Sequence, residues 1–154
     1  MKRHTLLLGI LIFSSIFTLQ AQSLQENLLG KWKLTRDEGF EYVANSPEFM
    51  AGPQEEKDKF FDWMEEVHSK SYKNFYSLDS MTSTIVDRKE IIQEKSVWNV
   101  RKTDSVITWK IRFAPKVIQA KVIKITDQEL ILGYLNQDQT LGRFKTFYKK
   151  EETN

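Results

Sequence analysis

Leu28-Leu29-Gly30-Lys31-Trp32-Lys33-Leu34 is the stretch on which the reading of this chain turns. Trp32 and Leu34 alternate with Lys31, Lys33 and Thr35, the period of two of a strand with one face buried and the other wet. Gly30 stands just ahead of the indole. A residue without a Cβ at that point fits a place where backbone and ring approach closely.

Downstream of Ser71 the same period returns again and again. It predicts strands over 72–78, 81–87, 89–93, 95–101, 105–113, 116–125, 129–135 and 143–150. The clearest is the fifth, with Ile107, Trp109, Ile111 and Phe113 on one face against Thr108, Lys110 and Arg112 on the other. The connections are short and built from turn residues, such as Leu78-Asp79-Ser80, Lys102-Thr103-Asp104 and Thr126-Asp127-Gln128. Consecutive short strands joined this way give an up-and-down antiparallel β-barrel of about eight strands, because closing the meander removes its unpaired edges.

Between the first strand and the rest the period changes. Residues 37–52 read as a loop punctuated by Gly39, Asn45-Ser46-Pro47 and Gly52-Pro53. From Pro53 to Lys70, Phe60, Phe61, Trp63, Met64 and Val67 recur at helical spacing, and Glu55, Glu56 and Asp58 place acid near the positive end of the helix dipole. One amphipathic helix is therefore expected after the first strand, its apolar face covered by the barrel.

Three stretches carry a family resemblance. Gly30-Lys31-Trp32 after two leucines resembles the opening of the calycin superfamily: lipocalins, fatty-acid-binding proteins and the lipocalin-like domains of exported bacterial proteins. The segment from Val97 to Trp109 is similar to the mid-barrel hairpin of those bacterial domains, and that from Val122 to Leu132 to their penultimate hairpin. Together they span most of residues 28–149. The resemblance implies a barrel with Trp32 packed across its closed end and a basic side chain of the last strand over the indole, with Arg143 or Lys145 in that place. Gly30, Trp32 and Arg143 are thus the expected barrel-closing set. Two departures stand out. Gln128 follows Thr126-Asp127 where lipocalins favour tyrosine, and Arg143-Phe144-Lys145 does not reproduce the Arg-x-Tyr with which fatty-acid-binding proteins hold a carboxylate.

Residues 1–21 read as a secretory signal peptide: Lys2 and Arg3, an apolar run from Leu6 to Leu19, and Ala21 before the cut. That run of about 14 residues is shorter than the roughly 20 that span a bilayer, so no membrane span is expected in the mature chain. Residues 22–154 then form one lipocalin-like domain, periplasmic or secreted, with no cysteine for a disulfide or a lipid anchor. The leader takes Lys2 and Arg3 and no acid from the 23 basic and 21 acidic residues, so the mature chain is balanced in charge. Without a basic stripe, nucleic acid is not an expected partner.

No catalytic set emerges, and the chain is read as a non-enzyme without cofactor or metal. Beyond the leader His68 is the one histidine; with Glu65 it has i, i+3 spacing, but a metal needs further ligands, so it reads as a solvated helix-surface group. No nucleophile sits in a strand-to-helix elbow, and no glycine loop cradles phosphate.

The expected function is the binding of a small apolar or amphipathic molecule, or a lipid, inside the barrel. Trp98, Trp109, Ile111, Phe113 and Tyr134, with Leu132, are the expected inward groups, and Phe60, Trp63 and Met64 close the mouth. Gln119 or Lys121 is a candidate polar anchor, although a bulge in that strand explains the mixed face equally well. The alternative is a filled barrel that binds a protein of the cell envelope.

Overall fold

The computed structural model describes residues 24–87, 90–101, 103–111 and 117–152. The leader and Phe113 lie outside them. Eight strands, β1 (Gly30–Asp37), β2 (Tyr72–Phe75), β3 (Ser80–Asp87), β4 (Glu90–Arg101), β5 (Val106–Lys110), β6 (Val117–Ile125), β7 (Glu129–Leu135) and β8 (Leu141–Lys150), pair in sequence order, and β8 returns to β1. Every ladder is antiparallel. The barrel is closed, as the strand pattern requires, and the two short strands expected at 89–93 and 95–101 are one continuous β4.

Among the described residues four helical pieces accompany it: α1 (residues 24–28), α2 (Glu38–Ala44), α3 (Pro47–Ala51) and α4 (Gln54–Lys70). The expected helix is α4. The expected loop before it is mostly helix, because residues that read as breakers act as caps. Asp37 accepts from the amides of Gly39 (2.7 Å) and Phe40 (3.2 Å), and Ser46 accepts from that of Phe49 (3.2 Å). Pro47 then occupies the first turn of α3, where its missing N–H costs nothing.

The floor of the barrel is built around Trp32. Its Nε1–H donates to the Leu28 carbonyl at the end of α1 (2.7 Å), and Lys150 Nζ lies 5.0 Å from the indole centroid. Gly30 has φ +118°, and a Cβ there would stand 2.7 Å from Lys150 Cε. The close approach read from Gly30 is therefore real, and what approaches is the lysine stem. The cation over Trp32 is Lys150 and not Arg143 or Lys145. The register explains the difference: Lys150 is the cross-strand partner of Trp32. Arg143 is seven residues away along β8, about 23 Å. Its guanidinium instead covers Tyr42 of α2 at 4.4 Å.

Phe75, Met81, Trp98, Ile107 and Leu130 complete the floor, all essentially without solvent contact. Side chains of this size fill the closed half, and it has no need of a ligand to exclude water.

Candidate functional site

The ladder sets Trp98 directly opposite Trp109, yet the two indoles turn opposite ways. Trp98 packs edge-on to Phe75 (4.7 Å) and donates Nε1–H to the Ser77 carbonyl in the β2–β3 turn (3.1 Å). Its indole packs in the floor, apart from the Trp109–Tyr134 side of the interior with which it was expected to line the site. Trp109, 2% exposed, turns toward Tyr134, with ring centroids 6.2 Å apart. Ile111 is half-buried just past the end of β5.

Between Trp109 and Tyr134 the interior holds a lysine. Lys73 is 5% exposed, and its Nζ lies 4.6 Å from the Trp109 ring, 5.7 Å from Tyr148 and 5.9 Å from Tyr134. The hydroxyls of Tyr134 and Tyr148 are 3.3 Å apart. Burial pushes the Tyr148 phenol well above its ordinary range, and the neighbouring Tyr134 adds to the effect. Lys73 is the register partner of Ser83, and Ser83 of Glu94, so the three form one inward row across β2, β3 and β4. Ser83 (1% exposed) and Glu94 (4%) are buried with it. Ser83 Oγ and Trp109 Nε1 have no hydrogen-bond partner among the described residues. Polar atoms so placed are ordinarily satisfied by water or a bound group, since leaving one unpaired costs about 1–3 kcal/mol.

Tyr134 is also a wall of the mouth. The β6–β7 ladder ends at Ala120 and Tyr134, and beyond that pair Val117 to Gln119 and Leu135 to Gln137 border a cleft of about 720 Å³. Gln119 and Lys121 are not inward anchors: Ile118, Ala120 and Val122 face the core, and a register shift between Val122 and Lys124 produces the mixed face. The bulge is the reading that holds.

Over the interior sits an aromatic lid. Trp63 and Phe60 are half-buried on α4, where Phe40 meets Trp63 at 5.1 Å and Phe49 meets Phe60 at 4.9 Å. Phe40 and Trp63 pack against the core. The sequence places Phe60 and Trp63 at the mouth but misses Phe40 and Phe49, which lie in the stretch read as loop. His68 is also tucked under this lid instead of standing in solvent: its ring is 5.8 Å from Phe40, and Nε2 is enclosed without a hydrogen-bond partner. Burial raises the Asp37 carboxyl above its ordinary value, against the opposing pull of the Phe40 and Gly39 amides and of His68.

Among the described residues no three His, Cys, Asp or Glu side chains gather as a metal site, and no helix is long and apolar enough to cross a membrane. The arrangement brings flat aromatic faces, a buried cation and enclosed polar atoms together beneath a lid that is largely hydrocarbon.

No protein-family model matches the chain, and no curated protein does. Among solved structures it is similar to a mutant of the fluorescent protein UnaG, at 15% identity and a TM-score of 0.37, over 84% of this chain and 99% of that one. That likeness is loose, and the reading of the barrel rests on its own residues.

Proposed function

We propose that this chain is an exported, lipocalin-like binding protein that takes a small amphipathic molecule into the lid-side half of its barrel. The observation that carries the reading is a group of enclosed polar atoms, Ser83 Oγ, Trp109 Nε1 and Thr146 Oγ1 among them, with no hydrogen-bond partner among the described residues, above a floor already filled by side chains. A barrel closed only for stability has no use for polar atoms there. Export rests on the leader sequence, with Lys2 and Arg3 before the apolar run. Binding would draw on burial of apolar ligand surface, about 25 cal/mol per Å² before the costs of association.

A second reading has one observation in its favour. Tyr42, Val43, Met50 and Phe61 expose apolar side chains on the lid helices, as a protein-interaction module of the cell envelope would. Native mass spectrometry of the protein from its own source, followed by extraction, separates the two. A co-purified small molecule at near-equal stoichiometry supports the interior site. Bare protein that also ignores an apolar dye such as Nile red favours the protein partner.

A further inference from the structure

The fold sorts the two signs of charge. The four neighbouring strands β6, β7, β8 and β1 carry nine basic residues and two acidic ones, whereas α2, α3 and α4 carry nine acidic residues and three lysines. One wall of the barrel is basic, and the lid is acidic.

The registers set the free cations of that wall in two rows on its outer face. Lys121, Gly133 and Lys145 lie side by side across β6, β7 and β8, so the two lysines flank the glycine about 10 Å apart. Four residues along β8, about 13 Å away, Lys149 stands directly opposite Lys33 of β1. All four point outward, because their strand neighbours Trp32, Leu34, Ala120, Val122, Thr146 and Tyr148 are buried. Like charges directly opposed weaken a ladder, yet these lysines enter none of the ion pairs among the described residues. The acids near them are taken. Glu129 is held by Lys124, Glu151 by Lys31, and Asp104, which feels Lys121, by Arg101. Glu38 gives an oxygen to the Lys145 amide (3.0 Å).

Between the cations the wall is aliphatic. Ile123 and Leu141 are exposed and meet over Gly133, where a Cβ would stand 2.7 Å from Leu141 Cδ1 and 3.5 Å from Ile123 Cδ1. Val117, also exposed, borders the cleft between β6 and β7. Cations around an aliphatic strip match anionic headgroups with the acyl boundary beneath them. The acidic lid of a second copy is a poorer match, because Glu41, Glu55 and Glu66 are already held by Arg36, Lys59 and Lys70.

We infer that the wall of β6, β7, β8 and β1 docks this protein on an anionic lipid bilayer. Lys33, Lys121, Lys145 and Lys149 meet the headgroups, Ile123 and Leu141 reach the acyl boundary, and the lid is turned away. This goes beyond the interior-binding reading and holds whether or not the barrel is filled.

The test is sedimentation of the protein from its own source with vesicles of phosphatidylcholine alone, or of phosphatidylcholine and phosphatidylglycerol in equal parts. Binding is expected to the mixed vesicles only, and is expected to be lost near 1 M salt, where the screening length is about 3 Å. A variant combining Lys33→Gln, Lys121→Gln, Lys145→Gln and Lys149→Gln is expected to bind at least about 100-fold more weakly, at roughly five-fold per lysine, with its urea midpoint retained. Lys95→Gln with Lys110→Gln, exposed on β4 and β5, is expected to leave binding unchanged. Equal binding to both vesicles, or none to either, overturns the docking wall. Full binding by the four-lysine variant, or lost binding in the Lys95 and Lys110 variant, overturns it as well. Absence of vesicle binding together with self-association in analytical ultracentrifugation, abolished in the four-lysine variant, assigns the wall to a second copy instead.

Discussion

Lys150 lies across the indole face of Trp32, its Nζ 5.0 Å from the ring centroid, and the path of its stem runs over Gly30, where a Cβ would stand 2.7 Å from Cε. This crossing sits at the floor end of the ladder by which β8 closes on β1. Gly30→Ala must displace the lysine and also place a side chain at φ +118°, so a loss of about 1–3 kcal/mol is expected in urea unfolding. Lys150→Met keeps most of the stem and removes the charge. It is expected to cost about 1 kcal/mol, the contribution of the cation over the ring.

Trp98 divides stability from binding. Trp98→Phe keeps a ring beside Phe75 but loses the bond to the Ser77 carbonyl. It is expected to lower the urea midpoint by roughly 1–3 kcal/mol of stability, for a lost bond and a partly emptied site. Nile red affinity should stay as it was. A variant with intact stability and lost dye binding would return Trp98 to the ligand site.

Trp63 tests the lid. Its ring meets Phe40 at 5.1 Å and 76°, the edge-to-face geometry that contributes about 0.5–1.5 kcal/mol beyond area. Because that contact ties α4 to α2 over the mouth, Trp63→Ala is expected to speed dye release in stopped flow more than it slows capture. Unchanged release would mean that ligands pass elsewhere.

Asp37 gives the fold a pH dependence. Burial raises its carboxyl above the ordinary value, so between that value and the raised one the folded state binds more protons than the unfolded state. Stability from this group therefore falls as pH rises through that window, and the deficit persists at neutral pH. Asp37→Asn keeps an oxygen to accept from the Gly39 and Phe40 amides and removes the buried charge. Urea unfolding across the acid range is expected to show the variant gaining on the parent as pH rises. Parallel curves would contradict this.

The barrel was legible in the sequence because stretches such as Ile107, Trp109 and Ile111 alternate with polar residues, and turn residues separate one such stretch from the next. The lysine was not. Strand β2 reads Tyr72-Lys73-Asn74-Phe75, and each of its faces carries one aromatic and one polar residue, so alternation alone leaves the inner face undecided. Lys73 goes inside because Phe75 does, completing the floor against Trp98. The last strand offered cations on both faces, and only the register with Trp32 picks Lys150. Residues 37–52 hid α2 and α3 because Gly39, Asn45 and Pro47 signal breaks, while the caps Asp37 and Ser46 signal starts. Phe40 and Phe49 were lost with them.

The chain has four tryptophans, and they sample the molecule from floor to lid: Trp32 and Trp98 below, Trp109 in the binding half, Trp63 above. Each gives one indole N–H signal in a ¹H–¹⁵N correlation spectrum, so titration with naphthylmethanol reads all four at once. The account predicts that the Trp109 and Trp63 signals move together with the probe while those of Trp32 and Trp98 stay in place. Movement of the floor signals with Trp109 unmoved, or no movement at saturating probe, would contradict a ligand site in the lid-side half of this barrel.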